Sequence, residues 1–495
     1  MPLFRQLFAV RSIESIIQDL DASPALNRVL TARSLIAIGL GSTIGTGIFI
    51  LTGTVAAHHA GPALILSLLI AALGSALAAI SYAEFAAMIP VSGSAYTYSY
   101  ATLGEAAAWL IGWTLSLEYG MSASAVAVGW SEYVANLLSE WGIQLPPPLI
   151  NAPFGKMSDG SIGLTGAIVN LPAVLIILTL GWLCYVGVRE SATANNIMVA
   201  IKVGIIVVFI LASIAFVDTS NWTPLIPENT GRFGEFGWSG VLQGAGIIFF
   251  SYIGFDTAAT TAREARNPQR DVPLGILGAL AISAILYVGM ALAMTGMVPY
   301  SELGGPAPVA IALDAHPQLA WLGSFVKIGA IVGMTSVILM SLLGQPRIFL
   351  AMADDGLLPE RMRRVHPKYR TPYVATGITV TLSALIAGLF PLNILGELIS
   401  MGILLAFTVV CIGVLVLRRS RPELPRPFRV PFAPLTCITG ALVCGGMTYF
   451  LPGETWKLFA IWSVLGFSIY ALYGYRHSRM RDRTGDDHDG IQERL

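Results

Sequence analysis

What constrains this chain most is the recurrence of long apolar stretches. A windowed reading of its 495 residues finds roughly twelve, each close to the ~20 residues a helix needs to cross a bilayer. They start near Arg33, Pro62, Thr102, Ala167, Ala192, Ser239, Leu274, Gln318, Val374, Leu392, Val430 and Thr455. Backbone N–H and C=O groups cannot go unpaired in hydrocarbon, so apolar stretches of this length are expected to be helices. With 55% hydrophobic and 12% charged residues, against about 25% charged in soluble domains, the chain reads as an all-α integral membrane protein surrounded by lipid. Its formal net charge is zero, and no nucleic-acid partner is implied.

Two of the stretches contain residues that unwind helices: G-S-T-I-G-T-G from Gly41 to Gly47, and S-Y-I-G-F-D from Ser251 to Asp256. Irregular backbone at membrane depth survives only where it lines a cavity or is buried in protein. Freed N–H groups at a half-helix N-terminus attract an anion and freed carbonyls attract a cation, so a pair of breaks suits a zwitterion such as an amino acid. In the first break Gly41, Gly45 and Gly47 clear the backbone while Thr43 and Thr46 add hydroxyls. The N–H groups of Gly45, Thr46 and Gly47 are the expected carboxylate donors. In the second, the carbonyls of Phe250, Ser251 and Ile253, with that of Ile44, are the expected acceptors for an ammonium. Phe250 is bulky enough to gate the pocket, and Asp256 is placed to cap the half-helix that follows. Small residues at these positions also suit plain helix packing; the matching break in the second half favours the ligand reading.

Each break opens a set of about five spans, 33–217 and 239–418. Because that number is odd, the second set enters from the opposite side, which makes an inverted repeat whose breaks meet near the midplane. Residues 430–475 form a last pair of helices outside the repeat, flanked by a segment at 1–32 and a tail at 476–495. With the N-terminus placed inside, basic loop residues gather on that side: Arg263, Arg266 and Arg270; Arg361, Arg363, Arg364, Lys368 and Arg370; Arg418, Arg419, Arg421, Arg426 and Arg429. Arg189 and the tail add to this, while the outer connections carry Lys156, Arg232 and Lys457. The asymmetry predicts a multi-pass membrane protein with both termini cytoplasmic. The longest outer connection, 138–167, contains P-P-P at Pro146 to Pro148 and is expected to be a capping loop.

Lys202 lies about ten residues into its span, near mid-membrane, where a charge costs several kcal/mol unless paired. A lysine so placed can take up and release a proton, and Glu118, the other deep ionisable group, is its expected partner. A static buried ion pair is the plainer alternative. Lys327 and Arg347 near the ends of their span are assigned to structure, and Glu84 and Glu397 to span ends at the interface. Ser341 and Thr335 are small enough to leave room for a substrate side chain. The four cysteines, Cys184, Cys411, Cys437 and Cys444, fall in apolar spans and read as core.

Taken together, these stretches resemble the amino acid–polyamine–organocation superfamily, and within it the cationic amino acid transporter branch and its bacterial relatives. The resemblance runs from Arg33 to Arg429 and rests on G-S-T-I-G-T-G-I-F at Gly41, E-F-A-A-M-I-P-V-S-G-S-A-Y-T-Y-S-Y at Glu84, G-F-D-T-A-A-T-T-A-R-E-A-R-N-P-Q-R-D-V-P at Gly254 and G-Q-P-R-I-F-L-A-M-A-D-D-G-L-L-P at Gly344. It implies a LeuT-like fold with helices 1 and 6 broken, alternating access around a central amino acid, and a proton as coupling ion. Lys202 matches the lysine that stands, in proton-coupled members, where sodium-coupled relatives hold an ion. The chain departs from the pattern at Ala262 and Arg263, where relatives commonly carry acidic residues, leaving Glu264 as the acidic group there. Small neutral amino acids such as alanine are the expected substrates, with tolerance towards larger or cationic ones. An exchanger without proton coupling is the alternative within the class. No cofactor, metal set or nucleophile–base pair is legible, which argues against an enzyme. Oligomeric or small membrane-protein partners stay open.

Overall fold

The structure, a computed structural model, describes residues 6–13, 15–16, 29–89, 94–157, 161–186, 192–305, 307–369 and 371–480. Most of the N-terminal segment, Arg189, Arg370 and the tail beyond residue 480 lie outside them. Among the described residues 7 helices are long and apolar enough to cross a membrane, and Leu171–Val186, Tyr373–Leu389 and Ala433–Tyr449 are shorter apolar helices.

Helix α1 (Ala32–Thr43) starts where the Thr31 hydroxyl accepts the Ser34 N–H. This side-chain cap satisfies one of the orphan donors of the first turn. After the first break the helix resumes at Gly47 and runs through π and α turns to Ala60. There follow α2 (Leu64–Met88), the short α3 (Ser94–Thr102), α4 (Glu105–Ser116) and α5 (Ser122–Glu140), the last two joined through a π turn at Leu117–Met121. Helices α6 (Leu171–Val186) and α7 (Ala192–Ser213) complete the first half. The second contains α8 (Gly237–Ile248), α9 (Thr257–Thr260), α10 (Pro268–Met297), α11 (Pro308–Asp314), α12 (Ala320–Asp354), α13 (Tyr373–Leu389) and α14 (Leu392–Ser420). Helices α15 (Ala433–Tyr449) and α16 (Gly453–Ile469) follow. Helix α10 begins at Pro268, well before the expected Leu274, because proline in the first turn forfeits only an N–H that has no helical partner there.

Packing sorts these helices into two groups. Helix α10 lies along α1 and α2, and α8 lies against α2. In the other group α5 packs on α12, and α6 on α13. Helix α7 touches both α12 and α1. Apolar side chains at Leu175, Leu178 and Trp182 on α6, Ile201 and Leu211 on α7, and Ile461 and Val464 on α16 are exposed. Lipid rather than water is the solvent such helix faces require.

The structure corrects three expectations. The connection across 138–167 is not a plain loop: it carries an antiparallel hairpin of β1 (Phe154–Lys156) and β2 (Ile162–Leu164) after a 3-10 turn at Pro147–Leu149. Three-residue strands centred on Gly155 and Gly163 leave no periodic signal in a sequence. Glu84 and Glu397, both near helix ends as expected, are not solvent-facing there but almost fully buried in protein. Glu84 accepts from Arg418 Nε at 2.9 Å and from the Val430 N–H at 2.7 Å, and Glu397 meets Lys156 at 2.5 Å and the Thr455 hydroxyl at 2.7 Å. Lys327, assigned to structure, is buried and pairs with Glu140 and, at 3.8 Å, with Asp314, while Arg347 is exposed. All four cysteines are buried thiols.

Gly254 has φ +110°, and a Cβ on it would stand 2.8 Å from the Ser42 carbonyl carbon. Gly254→Ala is therefore expected to cost about 1–3 kcal/mol, read as a lower melting temperature of the detergent-solubilised protein. Unchanged melting would show that this turn relaxes freely.

Candidate substrate site

Both unwound stretches are real interruptions. Helix α1 stops at Thr43, and Ile44 turns to extended backbone with φ −79° and ψ 100° before helix resumes at Gly47. Helix α8 tightens into a 3-10 turn at Phe249–Tyr252, and Ile253 is extended with φ −67° and ψ 143° before Gly254 and α9. The two breaks touch through backbone: a Cβ on Gly47 would come within 2.5 Å of Ser251 Cα. Glycine at position 47 is thus a condition of this contact.

Lys202 reaches the first break from α7. Fully buried, its Nζ donates to the Gly41 carbonyl at 2.6 Å, the Ile44 carbonyl at 3.0 Å and the Ser336 hydroxyl at 3.1 Å. Carbonyls released by unwinding are satisfied here by a side-chain cation. Two expectations change in consequence. The Ile44 carbonyl, proposed as an acceptor for the ligand's ammonium, is occupied by Lys202. Glu118, proposed as the partner of Lys202, makes no ion pair with it among the described residues; its carboxyl instead faces the side chain of Asp256.

A small cavity of about 30 Å³ lies between the breaks. Thr43, Gly45, Thr46 and Gly47 line it from the first break, Phe250 and Ile253 from the second, and Glu118 and Ser341 from the opposite group of helices. Ile44, Ser251 and Lys202 sit behind this wall. Phe250 is 6% exposed, and its backbone N–H donates to Ser400 Oγ at 3.1 Å, which fixes the ring beside the cavity. Ser42 Oγ and Thr43 Oγ1 are buried without a hydrogen-bond partner, and the Glu118 carboxyl has none besides the facing carboxyl of Asp256. Unsatisfied polar atoms are rare in folded interiors, and a cluster of them around a cavity is what a polar ligand would complete.

The sequence reading missed Tyr119, Ser122, Val126, Val337 and Met340 in the lining. A signal existed: Glu118, Ser122 and Val126 recur at the spacing of one helix face, as do Val337 and Ser341. Thr335 does not line the cavity; its hydroxyl accepts from Trp130 Nε1 at 3.0 Å and donates to the Ile331 carbonyl at 2.7 Å, a packing role. Asp256 occupies the position before α9, yet its side chain makes no cap. Its Oδ2 accepts instead from the Tyr119 hydroxyl at 3.1 Å, and the capping expectation fails.

A Cβ on Gly45 would already stand 3.0 Å from Val337 Cγ2, so there is no room at this position for a branched side chain. Gly45→Leu is expected to reduce ligand binding to background in a scintillation proximity assay while the protein stays monodisperse. Normal affinity would remove the first break from the site.

Residues 30–475 match the model of a family described as amino acid permease. The chain is 45% identical over 472 residues to the methylthioribose transporter of Bacillus subtilis, covering 95% of this chain and 98% of that one. It is 42% identical over 475 residues to the branched-chain amino acid permease BcaP of the same organism, covering 96% and 99%. A vacuolar cationic amino acid transporter 4 of Arabidopsis thaliana is 40% identical over 404 residues, covering 81% of this chain and 65% of that one. These relatives are transporters and permeases, not enzymes. With a match that spans both broken helices and the cavity between them, the chain belongs to the amino acid permease family.

Proposed function

We propose that this protein is a secondary active transporter that moves amino acids across the bacterial plasma membrane by alternating access, in symport with protons. In this reading about twelve spans form two inverted sets of about five with an additional C-terminal pair, and both termini are cytoplasmic. One observation carries the proposal: a buried lysine bonded to the carbonyls of a broken helix, next to a cavity lined by two such breaks. The substrate carboxylate rests on the N–H groups that open the half-helix at Gly45 to Gly47, at the positive end of its dipole. Its ammonium meets the carbonyl side of the second break, around Phe250, Ser251 and Ile253. Phe250 closes over the bound molecule.

Counting donors ties the proton to this geometry. A protonated Lys202 has three N–H donors, and the Gly41, Ile44 and Ser336 oxygens use them all. A neutral amine has one donor fewer and turns a lone pair towards an oxygen. Losing the proton leaves two donors for the Gly41 and Ile44 carbonyls, and the third contact then survives only if the Ser336 hydroxyl, which donates to the Gly333 carbonyl at 2.8 Å, swings round to donate to the amine. Glu118, on the cavity wall and apart from Lys202, acts as a separate proton-accepting group.

Small neutral side chains such as that of alanine are the first substrates of this reading, with Val126, Val337 and Ser341 as the lining they would meet. A branched-chain permease among the relatives supports a neutral substrate of somewhat larger size. The methylthioribose transporter adds a polar ligand to the panel worth testing, since Ser42, Thr43 and Glu118 leave acceptors open around the cavity.

Uptake into proteoliposomes of labelled alanine, valine, isoleucine, arginine and methylthioribose, with and without an inward proton gradient, tests the reading. Accumulation of neutral amino acids that requires the gradient is expected; gradient-independent uptake that requires internal amino acid would make the protein an exchanger. Lys202→Met is expected to bring gradient-driven accumulation to background with the protein still folded, and unchanged uphill uptake would take Lys202 out of the coupling. Ser341→Met should narrow the range of side chains accepted, disfavouring isoleucine before alanine; an identical substrate profile would place position 341 outside the side-chain pocket.

A further inference from the structure

A second cavity, of about 730 Å³, opens where the end of α12 meets the end of the α16 segment. Arg361, Arg363 and Arg364 line it with Asp354, Glu360 and Tyr473. The charges are not all engaged. Arg363 Nε holds Asp354 at 2.7 Å, which cancels one of each sign. Arg361 and Arg364 are exposed and make no ion pair among the described residues, leaving two cations against the carboxylate of Glu360. A net single positive charge in an open pocket complements one phosphodiester.

The segment that carries Tyr473 also bears exposed apolar side chains. Beyond α16 the helix continues through a π turn at Tyr470–Gly474, which brings Tyr473 to the pocket wall. Ile461, Leu465 and Leu472 recur at helical spacing up the same segment and are 66%, 49% and 74% exposed. In a spanning helix those side chains face acyl chains. A cationic pocket at the end of a lipid-facing apolar stripe has the two halves of an amphiphile-binding site, one for a charged head and one for a tail.

We propose that this pocket binds an acidic phospholipid, with its phosphate between Arg361 and Arg364 and one acyl chain along Ile461, Leu465 and Leu472. The inference rests on the reading of α12 and α16 as spans that end at one membrane surface; it does not rest on substrate or coupling. Lipid retention tests it without any transport measurement, so its failure leaves the transport reading untouched, and the reverse holds too.

The full-length protein is exchanged into micelles holding equal amounts of phosphatidylglycerol and phosphatidylcholine, and retained lipids are counted by native mass spectrometry. Each arginine near a lipid phosphate is worth about a fivefold preference, so with two of them the wild-type protein is expected to retain the acidic lipid about twenty-fivefold over the neutral one. Arg361→Gln with Arg364→Gln should bring the ratio close to one, while Arg232→Gln in the outer connection leaves it unchanged. Equal retention by the wild-type protein, or a preference that survives the double substitution, overturns the proposal. Displacement of phosphatidylglycerol by millimolar inorganic phosphate would also overturn it, by showing a site for soluble anions. The wild-type protein gives a reading free of any folding effect: its preference should fall as ionic strength rises, and a salt-independent preference would refute an arginine–phosphate contact.

Discussion

The contact on which the rest of this structure depends is the one between the Lys202 ammonium and the carbonyls of Gly41 and Ile44. Opening a helix within hydrocarbon strands backbone acceptors that water cannot reach, and an isolated ammonium at that depth is itself expensive. Each group resolves the other's difficulty. The lysine arrives from α7, and that helix touches both α1 and α12, so a local hydrogen-bonding need also sets where three helices lie. Ser336, the third acceptor, belongs to α12 and ties the ammonium to the opposite packing group.

Backbone contact between the breaks adds a second constraint, steric rather than polar. Gly47 stands against Ser251 and Gly254 against Ser42, so each break is shaped partly by the other. This reciprocity explains why glycines cluster at both places. It also explains why the cavity beside them is small: the half-helices approach until backbone meets backbone, and ligand space is left only towards Glu118, Val126 and Ser341.

How much of this was legible beforehand divides along physical lines. Long apolar runs and glycine-rich interruptions are one-dimensional signals, and both helix content and the interruptions at Ile44 and Ile253 follow from them. Eight of the expected residues, Thr43, Gly45, Thr46, Gly47, Phe250, Ile253, Ser341 and Glu118, line the cavity. Pairings between distant side chains carry no such signal. Glu118 was matched to Lys202 because both are deep and opposite in charge, but depth says nothing of azimuth, and the two project towards different neighbours. Likewise Glu84 looked interfacial because it sits near a helix end, whereas Arg418 and Arg426, far along the chain, close over it. The hairpin at Phe154–Lys156 was invisible for a different reason: its short strands are held by Lys156 reaching Glu397, a tertiary anchor and not a local preference.

The four cysteines, plain core residues by every criterion above, have a practical meaning of their own. Cys184, Cys411, Cys437 and Cys444 expose at most 3% of their surface, and a membrane-impermeant thiol reagent has no route to them in the folded protein. The native chain is therefore expected to react little with membrane-impermeant maleimides while it holds this conformation. A single cysteine introduced at any solvent-facing position reports its own accessibility against a low background, and the sidedness of every loop is open to direct chemical mapping in the otherwise unaltered protein.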